Sequence, residues 1–108
     1  MKKISWAFVL LLTVTIINYP NPFNPKAGQT TTFECTSDTA FTGTLYIYDM
    51  AAQLLLKRDL TVNAGTTRFG WNGYSDQNEL VGSGVYLYCL SDKSRGRVGK
   101  GKSWVINR

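Results

Sequence analysis

The sequence predicts an all-β protein that folds as an antiparallel β-sandwich of about seven strands. Short segments with alternating apolar and polar residues recur at intervals of about 8–12 residues, a spacing typical of sandwiches. Thr, Tyr, Val and Gly are abundant, which favours strands and tight turns, and no helix longer than one turn is predicted after Ile17. The 108 residues suffice for one domain with a modest core.

Period-two alternation places most of the strands. They are predicted at residues 30–35, 44–49, 54–60, 66–71, 85–90 and 103–106, with a brief return at 80–81. Leu45 and Ile47 share one face of their strand, while Tyr46 and Tyr48 share the other. In the following strand, Leu54 and Leu56 are core candidates, and in the next one Phe69 and Trp71 share a face.

Turn-forming residues separate these strands. Asn and Gly predict turns at 63–65 and 72–73. Residues 92–101 are predicted to form a basic, glycine-containing hairpin loop. The polar loop at 72–79 is rich in oxygen ligands, and we expect its side chains to cap its own backbone. A weak calcium site there is the alternative.

The first 17 residues form a signal-like segment. Lys2 and Lys3 precede an apolar run that ends at Ile17, which is the pattern of a secretory signal. The run is short for a membrane span, which needs about 20 residues. We predict export to the cell surface or the extracellular space, with residues 1–17 as the signal-like segment and 18–108 as the folded domain. In the alternative, residues 13–18 are the first strand of the fold.

Composition argues against several classes of function. The net charge is +5, and Lys2 and Lys3 contribute to it, so nucleic-acid binding is not indicated. The chain has no histidine, which excludes Ser–His–Asp and Cys–His nucleophile systems and histidine metal sites. Most carboxylates fall in predicted turns or on solvent faces. We therefore predict no enzymatic activity, no cofactor, no metal and no small-molecule substrate.

The two cysteines fall on different predicted strands. Cys35 and Cys89 could form a disulfide between the sheets, as suits an exported domain. They could equally be two buried free thiols that act as small hydrophobic residues. The absence of a CxxC spacing disfavours a zinc site or a redox motif.

All three prolines lie in one run, Asn18-Tyr19-Pro20-Asn21-Pro22-Phe23-Asn24-Pro25. Proline lacks an N–H and restricts its own φ and the residue before it, so neither a helix nor a central strand can pass through the run. Tyr19 and Phe23 add two large apolar groups. The run is predicted to be a stiff, shaped segment at the entrance to the domain.

The motifs together resemble two related families. They are the type A C-terminal sorting domain of the type IX secretion system and the immunoglobulin-like domain of the flagellar hook-cap scaffold protein. The resemblance rests on the order of several segments: residues 19–25, 30–33, 45–49, 71–73 and 83–86, and Tyr88. It implies an immunoglobulin-like β-sandwich that secretion machinery recognises.

Two positions depart from the pattern of these families. Ala52 stands where glycine is usual in the turn after the aromatic–Asp strand, and we expect that turn to differ, because glycine reaches positive φ freely and alanine does not. Asn78 replaces a common loop glycine, which is a milder change.

Two groups of residues are candidates for contact with a partner. Those of the proline run are Tyr19, Pro20, Asn21, Pro22 and Phe23, and those of the basic segment are Lys93, Arg95, Arg97, Lys100 and Lys102. The basic residues would contact an acidic surface, such as an anionic cell-surface polysaccharide or a secretion partner; the alternative is a solvated hairpin. Trp71, Tyr86, Tyr88 and Trp104 are predicted to pack in the core, with an exposed aromatic platform as the alternative.

The sequence therefore predicts an exported, non-enzymatic module for sorting or attachment, with protein partners. The alternative function is a self-assembling subunit of a surface layer or filament. There the apolar N-terminal segment would add as a strand to the sheet of an identical subunit.

Overall fold

The computed structural model describes residues 13–108, which form seven β-strands and one 3₁₀ turn, Pro25–Ala27. The strands are β1 (Val14–Tyr19), β2 (Thr31–Ser37), β3 (Phe41–Tyr48), β4 (Leu54–Val62), β5 (Gly65–Trp71), β6 (Gly84–Asp92) and β7 (Gly96–Val105). Residues 1–12 of the predicted signal-like segment lie outside the described residues. Within residues 13–108, no helix is long and apolar enough to cross a membrane.

The strands form two antiparallel sheets. The three-stranded sheet has the order β1-β2-β5, and the four-stranded sheet has the order β4-β3-β6-β7. Every pairing between named strands is antiparallel. The predicted all-β antiparallel sandwich is therefore confirmed.

Alternation directs one face of each sheet into a shared core. Phe33 of the three-stranded sheet meets Tyr88 of the four-stranded sheet edge to face, with ring centroids 4.8 Å apart. Leu45 and Ile47 are fully buried on one side of β3, while Tyr46 and Tyr48 lie half-buried on the other, as alternation predicts. Each large side chain removed from water in this way stabilises the fold by about 1.5–3 kcal/mol.

The N-terminal strand β1 pairs along its whole length with β2, from Val14 opposite Ser37 to Tyr19 opposite Thr32. Ile16 is buried in the core. The predicted boundary between residues 17 and 18 therefore falls inside a strand, and residues 14–17 are part of the sandwich in this structure.

The predicted hairpin loop at 92–101 is wrong, because β7 begins at Gly96 and not near Ser103. Two of its three glycines, Gly99 and Gly101, occupy inward positions that have no room for a side chain. A Cβ on Gly99 would lie 2.7 Å from Cγ2 of Ile16, and a Cβ on Gly101 would collide with the Tyr88 hydroxyl. Glycine here marks close packing inside a strand, a role that the sequence does not distinguish from a loop.

The expectation that the turn after β3 would differ at Ala52 is also wrong. Ala52 adopts φ +65°, the left-handed geometry that glycine would take. The Asp49 carboxylate holds the turn by accepting from the N–H groups of Ala51 and Gln53, each at 2.9 Å. Left-handed backbone costs an L-residue about 1–2 kcal/mol, which these bonds offset. Asn78 also keeps positive φ, at +61°.

Two further details differ from the prediction. Leu54 is 45% exposed, because a register irregularity after Ile47 takes it off the inner face, whereas Leu56 is buried. Residues 80–81 form no strand; Leu80 makes one isolated bridge to Tyr74.

Candidate recognition surface

The proline run closes one end of the sandwich through Phe23. This side chain is buried, and its ring centroid lies 5.6 Å from that of Trp71. Its backbone extends along the edge of β7: the Phe23 N–H donates to the Trp104 carbonyl, and the Phe23 carbonyl accepts from the Ile106 N–H, both at 3.0 Å. Phe23 is therefore a core residue, and residues 19–22 are the exposed part of the run.

The polar groups of the exposed part bond to the domain itself. The Asn21 side chain donates to the Lys102 carbonyl at 3.1 Å and accepts from the Trp104 N–H at 2.7 Å. The buried Thr31 hydroxyl donates to the Pro20 carbonyl at 3.0 Å. These bonds cover part of the free edge of β7, which would otherwise offer unpaired backbone groups to another chain.

The other motifs of the resemblance meet the run at the same end. Gly73, with φ +85°, lets Pro25 approach so closely that a Cβ on Gly73 would lie 2.5 Å from Cβ of Pro25. Trp71 also packs against Tyr86, with centroids 5.9 Å apart. The motif residues that lie far apart in the chain thus build one structural unit, and most of them serve the fold.

The basic segment divides into two groups. At the β6–β7 turn, Lys93 Nζ lies 3.7 Å from an oxygen of Asp59, and Arg95 Nε lies 2.6 Å from an oxygen of Asp92. The Arg95 guanidinium also lies over Phe41, at 5.2 Å from the ring centroid. These two cations are held by partners of their own domain.

Arg97, Lys100 and Lys102 form the second group, on the outer side of β7. All three are exposed. Among residues 13–108, no carboxylate oxygen lies within 4.0 Å of their charged nitrogens. Their charges are therefore available to a partner.

Strand register places Lys100 and Lys102 in two rows of side chains across the outer face of the four-stranded sheet, while Arg97 lies opposite Ser91. One row consists of Lys57, Tyr46, Cys89 and Lys100. The neighbouring row consists of Leu54, Tyr48, Leu87 and Lys102. Cross-strand neighbours in such rows lie about 4.5–5.5 Å apart at Cβ, so Lys100 adjoins Cys89 of β6 and Lys102 adjoins Leu87.

A groove of about 510 Å³ lies over β6 on this face. Leu87 and Cys89 lie between the longer side chains of β3 on one side and of β7 on the other. We name it the cationic groove and define it by Tyr48, Leu87, Cys89, Arg97, Lys100 and Lys102. The fold thus combines three of the five predicted basic residues with a tyrosine that the sequence had not singled out as a contact. Its position on the face opposite Ile47 was the available signal.

The predicted packing of the four aromatic residues holds for three of them. Trp71, Tyr86 and Tyr88 are buried, but Trp104 is 50% exposed. It lies on the outer side of β7, opposite Val85, because Ser103 and Val105 take the inward positions.

The two cysteines are free thiols in the structure. Cys35 is buried in the core, whereas Cys89 is half-buried on the outer face between inward-facing Tyr88 and Leu90. The sandwich therefore directs the two sulfur atoms to different sides of the four-stranded sheet. The structure thus has free thiols, but only Cys35 is buried, whereas that alternative expected both to be.

Hydrogen bonds keep the carboxylates near the turn ionised. The N–H of Ser94, and then Arg95, hold the pKa of Asp92 below its ordinary value. The Thr44 hydroxyl, followed by the charge of Lys93, lowers the pKa of Asp59. Both carboxylates lie beside cations of the turn, so the turn has counter-charges that Arg97, Lys100 and Lys102 lack within residues 13–108.

The loop at 72–79 uses its oxygen atoms on its own backbone and on β4. The Ser75 hydroxyl accepts from the N–H groups of Gln77 at 3.2 Å and Glu79 at 3.3 Å. The Asp76 carboxylate accepts from the Lys57 N–H at 2.9 Å and so covers part of the free edge of β4. These contacts are those of a self-capped loop.

Comparisons with solved structures support the same fold. The chain is similar to part of dimeric latent PorU from Porphyromonas gingivalis, with 21% identity, a TM-score of 0.73, and coverage of 88% of this chain and 9% of PorU. PorZ, a surface component of the type IX secretion system of that organism, shows 23% identity and a TM-score of 0.58 over 85% of this chain and 11% of PorZ. FlgD from P. aeruginosa shows 16% identity and a TM-score of 0.63 over 88% of this chain and 74% of FlgD.

The chain thus spans about a tenth of the length of PorU and PorZ. No protein-family model and no curated protein matches the sequence. At these identities, the likeness establishes the sandwich fold alone.

Proposed function

We propose that this protein is an exported, non-enzymatic module that serves in sorting or attachment and is recognised by secretion machinery of the type IX kind. The observation that carries the proposal is the convergence of the motif segments. Phe23, Pro25, Trp71, Gly73 and Tyr86 belong to segments that resemble the sorting domain, and they contact one another at one end of the sandwich. The resemblance thus concerns one packed unit, not scattered short matches.

The similar structures support the same proposal. PorZ is a component of the type IX secretion system, and part of it is similar in fold to this chain, with a TM-score of 0.58. The proposed partners are therefore proteins, with no role for nucleic acid, a cofactor or a small-molecule substrate. An anionic cell-surface polysaccharide remains a second class of ligand to be tested.

A reporter fusion tests the proposal directly. Residues 13–108 are attached to the C-terminus of a periplasmic reporter in a host that has the type IX system. This fragment keeps the whole of β1, which a fusion starting at residue 18 would cut. We expect the reporter to reach the cell surface, whereas the reporter without the domain stays in the periplasm. A fusion that folds but stays in the periplasm would refute the sorting function.

The alternative function, a self-assembling surface subunit, requires the N-terminal strand to pair with the sheet of a neighbouring subunit. Val14–Tyr19 is paired with β2 of its own chain, so it would have to leave its sheet before joining a neighbour. We therefore place this function second. Size-exclusion chromatography across a range of concentrations tests it, because a subunit of a layer or filament would assemble into large species.

A further inference from the structure

We propose that the cationic groove binds an extended, acidic polypeptide segment of the partner. This inference deepens the proposed function and rests on it for the assumption that the partner is a protein. It assigns the binding surface to the outer face of the four-stranded sheet, away from the motif residues that build the end of the sandwich.

Charge is the first argument. Arg97, Lys100 and Lys102 lie on one side of one strand, and within residues 13–108 no carboxylate lies within 4.0 Å of them. Two neighbouring cations of the same segment, Lys93 and Arg95, do have such partners. Like charges gathered without counter-charges repel one another, and an anionic partner relieves that repulsion while gaining attraction.

Spacing is the second argument, and it favours a polypeptide. Residues on the same side of a strand are about 6.7 Å apart along it, since each residue lengthens the strand by about 3.3–3.4 Å. Lys100 and Lys102 are two positions apart on β7. An extended peptide with acidic residues at alternate positions has the same repeat, so successive carboxylates can face successive lysines.

The shape of the groove is the third argument. β3 and β7 flank β6, and two inter-strand spacings of about 4.8 Å separate them by about 9.6 Å, which is enough for one extended chain over β6. The floor is apolar at Leu87. It is uncharged at Cys89, because burial raises the pKa of that thiol against the opposing effect of Arg97 and Lys100.

These features predict a two-sided ligand. Acidic side chains would point toward the lysines of β7, and apolar side chains would cover Leu87, Cys89 and the ring of Tyr48. An anionic polysaccharide could satisfy the lysines, but it has no apolar side chains of its own to cover this floor. The combination therefore favours a peptide over a polysaccharide.

Titration of the 108-residue chain with a defined peptide tests the inference. The probe is an octapeptide with blocked ends that alternates glutamate and valine, and its control alternates lysine and valine. We expect the glutamate peptide to bind at low ionic strength and to weaken as salt rises. Backbone NMR shifts should change at Leu87, Cys89, Lys100 and Lys102, and the lysine peptide should leave them unchanged.

A pair of matched double variants locates the site. Lys100→Glu with Lys102→Glu should weaken binding by about tenfold or more, because two attractions become repulsions. Lys26→Glu with Arg108→Glu changes the net charge equally at exposed residues outside the groove, and should keep the affinity within about twofold. Equal losses in both variants would indicate unspecific attraction and overturn the inference.

Three other results would also overturn it. They are the absence of binding by the wild-type protein, shift changes outside the groove, and tighter binding of an alginate oligomer than of the glutamate peptide.

The reporter fusion separates this inference from the proposed function. If the wild-type domain sends the reporter to the surface and the Lys100→Glu, Lys102→Glu domain does so equally, the sorting function survives and the groove is not its binding surface. If the wild-type fusion stays in the periplasm, the sorting function fails, whatever the peptide titration shows.

Discussion

In the proline run, Phe23 is buried, and both polar atoms of the Asn21 side chain form hydrogen bonds with the edge of β7. In β7 itself, Lys100 and Lys102 extend outward with no carboxylate of residues 13–108 within 4.0 Å. Both segments are candidate contact sites by sequence. The first packs and hydrogen-bonds within its own domain, whereas the second exposes its charges to solvent.

The difference shows that a segment can stand out in the sequence without being available to a partner. A residue is available to a partner only if its own domain leaves its polar or apolar groups unsatisfied. The basic segment shows this within itself, because Lys93 and Arg95 lie beside Asp59 and Asp92, whereas the neighbouring Arg97, Lys100 and Lys102 have no such carboxylate among residues 13–108.

The largest test of this comparison removes the buried aromatic of the proline run. Phe23→Ala should lower the free energy of unfolding by about 3–5 kcal/mol, because it leaves a cavity against Trp71. Lys26→Ala, at an exposed residue just after the run, serves as control and should change stability by less than about 0.5 kcal/mol. Urea denaturation followed by tryptophan fluorescence measures both. Equal, small losses would mean that the run is not a structural clasp.

The next test addresses the inner side of β7. Gly101→Ala should destabilise the protein by about 1–3 kcal/mol, since the added methyl group collides with the Tyr88 ring. Lys100→Ala, on the outer side of the same strand, should change stability by less than about 0.5 kcal/mol. In a Tyr88→Phe background, the Gly101→Ala loss should shrink only in part, because the hydroxyl is gone but ring atom Cζ, 2.5 Å from the added Cβ, remains. An unchanged loss would contradict the collision.

The third test concerns the paired cations at the turn. Asp92→Asn should cost about 1–2 kcal/mol at neutral pH, because the ionised carboxylate accepts from Ser94 and Arg95. The folded pKa of Asp92 lies below its ordinary value of 3.8, so its contribution is complete above that value. It declines as the pH falls through the folded pKa. Chemical denaturation at pH 7 and pH 3 should therefore show a smaller difference between variant and wild type at pH 3; a difference independent of pH would exclude the charge as its cause.

The smallest expected effect is that of neutralising the groove. Lys100→Gln with Lys102→Gln should alter the free energy of unfolding by less than about 0.5 kcal/mol, since neither lysine has an ion-pair partner among residues 13–108 to lose. Thermal unfolding by circular dichroism measures this. A marked loss of stability would show that the two lysines support the fold, and the contrast with Phe23 would disappear.

Much of the fold follows from local pattern. The alternation of Leu45 and Ile47 with Tyr46 and Tyr48 predicts both faces of β3 correctly. The extent of β7 was not predictable in this way, because glycines such as Gly99 and Gly101 are also typical of a loop. Their meaning depends on Ile16 and Tyr88, which approach from other strands.

The candidate site shows the same division. The basic residues are evident in the chain, but the separation of Lys93 and Arg95 from Arg97, Lys100 and Lys102 is not. It requires Asp59 to reach Lys93 from β4, and it requires the β6–β7 register that sets Lys100 beside Cys89.

The sequence by itself determined the all-β class, most of the strands, the turn-forming glycines and the face to which most side chains belong. These are properties of the local backbone, which repeats every two residues in a strand. Only the tertiary structure decided which face is covered, which glycine fills a close contact and which cation has a partner. Those outcomes depend on residues brought together from distant parts of the chain.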